Sequence, residues 1–395
     1  YQYATLSSDG NYLEPSGYQA EQVNPYELGL SKSLRANPLA EPMSDGFSSG
    51  LSAIKTRWQT RREIAREQQR ARLDSPDDVE FQPPPHETVG DVTGLCLLVD
   101  FPDFPGTIPR EEAEDFCNLR GYNNNGNNGS VFDYFFDNSG GKLRYKNIVT
   151  PYYTAKHNRS HYIDPIPQFP RLPWELLTEA LESLIAEDFD FSPLTVDDRG
   201  FVRAINLLYA GPLSNAFNDG LWPHSSKLEP QLQLMPGKIA ADYQITNMGD
   251  KLTLGTFLHE NGHMLCDFPD LYDYGRNSHG VGSFCLMCYG LDPNPKNPTQ
   301  VGAYLKFKAG WANSVTNITP GLNASVRAGV NDFYILRKSD TEYYLIENRQ
   351  NTGRDQALPA SGLAIWHIDE QGNNDQEAMT PSSHYECSIV QADGN

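Results

Sequence analysis

The sequence predicts an α+β fold in which a twisted mixed sheet carries one apolar-flanked helix. Three observations lead there. Val92-Thr-Gly-Leu-Cys-Leu-Leu-Val99 is a continuous apolar run of strand length, as expected of a central strand covered on both faces. Leu252-Thr-Leu-Gly-Thr-Phe-Leu258 leads into a helix, and Trp174, Leu177, Ala180, Leu181, Leu184 and Ile185 recur at helical spacing behind Pro173, which suits a helix start. The last third alternates strand-like runs with turn residues.

A chain of 395 residues is long enough for a full enzyme-sized core and more than one structural unit. Residues 1–51 are rich in Ser, Gly, Pro, Asn and Glu without periodicity, a composition that cannot build its own core. From Ser52 to Leu73 the pattern becomes a basic helix with Arg57, Arg61, Arg62, Arg66, Arg70 and Arg72, stopped by Asp74-Ser75-Pro76. Phe81-Gln-Pro83-Pro84-Pro85 then favours an extended exposed linker and a boundary near residue 88. The expected organisation is residues 1–88 as a prosegment with this basic helix, 89–322 as the catalytic unit, and 323–395 as a β-rich continuation that breaks off after a strand-like run.

Within 89–322, Val131-Phe-Asp-Tyr-Phe-Phe136 predicts a short helix, Gly140-Gly141 a turn, and Leu143 to Val149 and Val202 to Tyr209 strands. Further on, Phe333-Tyr-Ile-Leu336 and Tyr343-Tyr-Leu-Ile346 flank Lys338-Ser-Asp-Thr341 as a hairpin, and Gly362-Leu-Ala-Ile-Trp366 is another strand.

The net charge of −20 argues against nucleic acid or anionic membrane as partners, because phosphate binding needs concentrated Lys and Arg. No run approaches the roughly 20 apolar residues that span a bilayer. The start at Tyr1 without methionine is read as a removed export segment or a cropped end. Cys96, Cys117, Cys266, Cys285, Cys288 and Cys387 form an even set, expected to close disulfides in an oxidising compartment. The short closures are Cys96 with Cys117, and Cys266 with Cys285 or Cys288.

The chemistry concentrates in His259-Glu260-Asn261-Gly262-His263. A helix places residues four apart on one face, so both imidazoles can reach one Zn²⁺, and Glu260 can act as general base on an activated water. A third donor is needed. No Glu occurs between His263 and Glu342, which disfavours the thermolysin-like arrangement with a downstream glutamate. The metzincin-like arrangement places a ligand six residues past the second histidine, after a turn normally made by glycine. Here that offset falls on Pro269, with Asp270 one residue on, and Cys266 stands at the glycine position. Asp270 is the expected third ligand, with Asp267, Asp273 and His279 as alternatives.

Several blocks in order resemble the M6 peptidases, the family of the immune-inhibitor-A secreted metalloproteases. They are Leu97-Leu-Val-Asp100-Phe-Pro-Asp103, Val131-Phe-Asp-Tyr-Phe with Ser139-Gly-Gly-Lys-Leu143, Leu221-Trp-Pro-His224, and His259 to Asp273. Cys285-Leu-Met287-Cys-Tyr289-Gly290, Tyr344-Leu-Ile-Glu347-Asn-Arg349 and Gly362-Leu-Ala-Ile-Trp366-His367-Ile-Asp369 complete the set. The resemblance spans about residues 92 to 395 and implies a metzincin-like zincin fold, a secreted zymogen and hydrolysis of protein or peptide substrates. It also implies that Met287 forms a methionine turn beneath the metal without binding it.

The expected function is therefore a secreted zinc endopeptidase held latent by an intramolecular contact of its prosegment. The competing classes are a non-catalytic adhesion or structural module on an inherited fold, and a zinc hydrolase of non-peptide esters or amides. His224 and His367 sit beside tryptophans and read first as packed core histidines. Tyr272 and Tyr289 are candidate donors to an oxyanion, with aromatic packing as their ordinary role. Asp100, Asp103 and the Asn123 to Asn128 loop offer oxygens for Ca²⁺, without a complete loop signature.

Overall fold

The computed structural model describes the backbone of residues 2–6 and 13–19 and, in full, residues 67, 88–163, 171–213, 221–273, 278–372, 374 and 384–390. The expected basic helix over 52–73 lies, apart from Glu67, outside the described residues, as does the Pro-rich linker. Strands β1 (Gln2–Leu6) and β2 (Leu13–Gln19) pair antiparallel.

The architecture is α+β. A five-stranded mixed sheet runs in the order β4 (Leu143–Thr154), β3 (Gly90–Asp100), β5 (Ile205–Tyr209), β7 (Lys238–Asn247) and β6 (His224–Met235). All neighbours are parallel except the antiparallel edge pair β6 and β7. Side chains alternate across β3. Cys96 and Leu98 enter the core beneath the helix that carries His259 and His263, while Leu95, Leu97 and Val99 enter the core on the opposite face. Both faces are thus covered, which is why this strand reads as an unbroken apolar run. Leu95, Leu97, Leu98 and Val99 are at most 1% exposed, and together contribute on the order of 10 kcal/mol before the entropy of ordering is subtracted.

Helix α1 (Arg110–Asn118) packs on β4. Helix α2 (Val131–Asn138) begins with a capping box, in which the Ser130 hydroxyl accepts the Asp133 N–H and the Asp133 carboxylate accepts the Ser130 N–H. Helix α3 (Arg171–Ala186) lays Leu176, Leu177, Ala180, Leu181 and Leu184 on the far face of the sheet. Strands β6 and β7 had no counterpart in the sequence reading. They join through Pro236-Gly237, where Gly237 takes a positive φ of 79°, as the second central position of a type II turn demands.

A second sheet runs β12 (Cys387–Ile389), β11 (Gly362–Asp369), β10 (Glu342–Arg349), β9 (Asp332–Arg337) and β8 (Ser314–Asn317). The hairpin expected around Lys338 is β9 paired with β10. Phe333, Leu345, Trp366 and Ile368 from this sheet belong to the same core as Cys96 and Leu98. Helix α5 (Ala303–Lys308) packs on β10 and β11. Among the described residues no helix is long and apolar enough to cross a membrane.

The expected disulfides are not formed: all six cysteines are buried and free. The Cys96 and Cys117 thiols hydrogen-bond each other, and that contact together with burial pushes the Cys117 thiol well up. Cys285 accepts the Gly302 N–H and the Cys288 thiol donates to the His279 carbonyl. These thiols fill the core as small apolar groups with local partners.

Arg349 ties the second sheet to the core. Its guanidinium donates twice to Asp355, at 2.6 and 2.8 Å, and once each to Glu347 and the Phe284 carbonyl. All three charged side chains are nearly dry. Arg349→Met should cost about 3–5 kcal/mol, because two buried carboxylates lose their cation. Denaturant unfolding measures this, and a loss below about 1 kcal/mol would show that the carboxylates find other partners.

Candidate metal centre

Helix α4 (Leu254–Cys266) carries the His-Glu-Asn-Gly-His run, and every residue of it except Thr256 is buried or nearly so. A helix this dry must supply each polar side chain with a protein partner or an ion. Asn261 meets the requirement from the sheet side, accepting from the Tyr145 hydroxyl at 2.9 Å and donating to the Phe257 carbonyl. Tyr145 and Asn206 continue this polar contact across β4 and β5.

The two histidines meet it from their outer nitrogens. His263 Nδ1 lies 2.7 Å from the Phe268 carbonyl and His259 Nδ1 3.1 Å from the Leu286 carbonyl. A carbonyl only accepts, so each Nδ1 carries the proton and each neutral ring keeps a lone pair on Nε2. The two Nε2 atoms are 3.2 Å apart, and Asp270 Oδ1 lies 3.1 Å from one and 3.2 Å from the other. A tetrahedral ion bound at 2.0–2.1 Å separates its donors by about 3.3 Å. The triangle therefore fits a small divalent ion and leaves a fourth direction for substrate or water.

Electrostatics point the same way. Burial alone would raise the Asp270 carboxyl, but His263 and His259 hold it far below the usual carboxylate range. Burial would lower His263, yet the charge and hydrogen bond of Asp270, with Glu260 adding to them, raise it instead. The site favours positive charge at the point where the three donors converge. Glu260 is 4% exposed and close enough to His263 for its charge to be felt there.

Asp270 arrives through an unexpected turn. The glycine position of the expected turn is Cys266, but the left-handed residue is the next one, Asp267, at φ 58° and ψ 28°. The Asp267 N–H bonds the His263 carbonyl, the closure of an αL cap, and the Phe268 N–H reaches one residue further back to the Gly262 carbonyl. Moving the left-handed position by one residue absorbs the extra residue between His263 and Asp270. The Leu271 N–H then bonds the Met287 carbonyl at 2.7 Å. Met287 is fully buried, and a Cβ on Gly262 would lie 2.6 Å from its sulfur, so the helix surface between the histidines is flush against this methionine.

The alternative third donors go elsewhere. Asp273 accepts the Ser278 N–H and the Tyr385 hydroxyl. Asp267 caps the helix, and the His279 ring stands edge-on to Tyr289. Tyr272 and Tyr289 stack at 6.3 Å. His224 is a core histidine between the Trp222 carbonyl and the Tyr243 hydroxyl, its pKa lowered by burial to about 4. In the Asn-rich loop, Asn124 and Asn125 donate to Glu112, and Asn127 and Asn128 bond the Leu252 carbonyl and Asn297. Asp100 accepts the Gly106 N–H and Asp103 the Arg159 N–H. Asp100 Oδ1 is buried without a hydrogen-bond partner, and among the described residues the His, Cys, Asp and Glu groups that could hold a metal include neither Asp100 nor Asp103. Sequence reasoning missed Asp292, whose carboxyl is raised by burial and pulled the other way by the charge of His259. Its only signal is a Gly-Leu-Asp-Pro turn.

A scan against protein-family models and a search of curated proteins both return no match.

Asp267→Val should destabilise the chain by about 1–2 kcal/mol, because a β-branched residue resists the left-handed conformation, and should lower metal content by displacing Asp270. Asp267→Gly should keep the turn and the metal. Equal behaviour of the two variants in unfolding and elemental analysis would show that the turn does not set the position of Asp270.

Proposed function

We propose that the chain is a zinc-dependent endopeptidase with Glu260 as its general base, and that His259, His263 and Asp270 hold the ion. The observation that carries this reading is the convergence of two imidazole nitrogens and one carboxylate oxygen at 3.1–3.2 Å, one residue from a buried glutamate. A zinc ion held there supplies Lewis-acid polarisation of the scissile carbonyl and acidifies water.

The chain's own residues do the rest. The Phe268 and Leu286 carbonyls fix both imidazole tautomers and ring orientations. Glu260 takes a proton from the attacking water and delivers it to the leaving amine. At 4% exposed, its carboxylate has little competing bulk water around it. Peptides, rather than other esters or amides, are favoured by the resemblance to the M6 peptidases, and that resemblance also supports a metzincin-like fold, secretion and synthesis as a zymogen.

Glu260→Gln should retain about one zinc at this site while kcat/KM on casein or gelatin falls by at least about 10²-fold, since an amide cannot act as base. Chelator should abolish wild-type activity and zinc restore it. Zinc-free wild-type protein, or near-normal turnover by Glu260→Gln, would refute the reading.

Latency is assigned to residues 1–88, whose strongly basic stretch over 52–73 opposes the acidic remainder of the chain. Residues 1–88 contain no cysteine, so within this segment a carboxylate is the group that would cap the metal. A chain beginning near residue 88 should be more active than the intact chain. Equal activity of the two forms would rule out latency by this segment.

A further inference from the structure

The outer face of the second sheet gathers a different set of donors. Along β10, Tyr343, Leu345 and Glu347 point into the core, so Glu342 and Tyr344 point outwards. Along β11, Trp366 and Ile368 point inwards, and His367 and Asp369 take the outer face. The register pairs Tyr344 with His367 and Glu342 with Asp369, and cross-strand partners share a face. His384, three residues before β12, closes over the group.

The distances are those of a ligand set. Glu342 Oε1 lies 2.8 Å from His367 Nε2 and 3.8 Å from His384 Nδ1. Asp369 Oδ2 lies 2.9 Å from the same His384 nitrogen. The donor atoms of Glu342, His367 and His384 all fall within 4.8 Å of one another. These gaps bracket the donor separation of about 3.3 Å around a four-coordinate ion. The four side chains are 8–19% exposed, shielded enough to hold an ion and open enough to admit one. The His367 ring is held by stacking on Tyr344, with centroids 4.9 Å apart. By contrast, His157, His161 and Glu175 also converge, but their side chains are 39–51% exposed.

We propose that Glu342, His367 and His384 form a second divalent-metal site, selective for a first-row transition ion such as Zn²⁺, with a structural role, and that Asp369 stands beside it against His384. Two imidazoles and one carboxylate suit Zn²⁺ or Co²⁺, whereas Ca²⁺ asks for an all-oxygen shell. One cation competes: Lys338 Nζ lies 2.5 Å from Glu342 Oε1, on a side chain 48% exposed at the hairpin. Ion binding displaces it into water.

The role follows from what His384 adjoins. The next residue, Tyr385, donates its hydroxyl to Asp273 at 3.0 Å. Asn374 donates to the Asp270 carbonyl at 2.7 Å and accepts the Cys387 N–H. An ion on His384 therefore fastens the strand edge that braces both ends of the Asp270 to Asp273 turn. The second site steadies the first without contributing a donor to it.

The test strips the full chain with chelator, re-equilibrates it with Zn²⁺ and counts metal per chain. Wild type should bind two. His367→Gln with His384→Gln should bind one, as should His259→Gln with His263→Gln, and the fourfold variant none. Glu342→Gln, a milder change, should weaken the second equivalent by at least about tenfold, whereas Lys338→Met should tighten it. In the His259→Gln, His263→Gln background, saturating Zn²⁺ should raise the unfolding midpoint by a few degrees. A single zinc in wild type that disappears with His259 and His263 overturns the proposal, as does a second zinc indifferent to His367 and His384. A lone zinc lost only with His367 and His384 would leave this site standing and remove the first.

Discussion

The constraint on which the structure depends is that α4 is buried along nearly its whole length while carrying four polar side chains in five residues. Dry polar groups are tolerated only when each is answered. Asn261 is answered from the sheet by Tyr145, and the outer nitrogens of His259 and His263 by backbone carbonyls on two different loops. What is left over is the inner face of both imidazoles, and the fold turns Asp270 onto it. The catalytic reading and the burial of the helix are one problem with one solution.

That solution needs both sheets. The first sheet supplies the platform, with β3 packed on its two faces and β4 presenting Tyr145. The second closes the core with Trp366, Leu345 and Phe333, and its buried Arg349 bonds the Phe284 carbonyl just ahead of the segment that supports His259. Residues 285–288 are the hinge between the two contributions. Leu286 lends a carbonyl to the helix, Met287 fills the space beside Gly262, and the Met287 carbonyl receives the loop that carries Asp270.

The sequence disclosed the features that are local. An unbroken apolar strand, an amphipathic helix after Pro173, a hairpin around Lys338 and two histidines one turn apart need no knowledge of distant partners. The strands β6 and β7 escaped although Lys227, Glu229, Gln231 and Gln233 alternate with Leu228, Leu232 and Leu234 and Pro236-Gly237 was a readable turn, because Pro230 inside the run argues against a strand. The turn to Asp270 escaped in detail because an aspartate, not a glycine, takes the left-handed position. His367 read as a packed, hydrogen-bonded histidine beside Trp366, and it is buried and bonded to Glu342, but on the opposite face of the strand. Only the strand pairing reveals that successive residues face opposite ways. The cysteines looked paired because their number is even, whereas their positions were set by packing.

The bonds that orient the two imidazoles run to backbone carbonyls of the chain. The rotational freedom of the two rings is therefore surrendered when the chain folds. A rigid triangle of 3.1–3.2 Å cannot widen for a large cation that asks for six to eight oxygens at 2.3–2.6 Å. Discrimination among ions at this position would thus be a property of the folded backbone, inherited by the side chains.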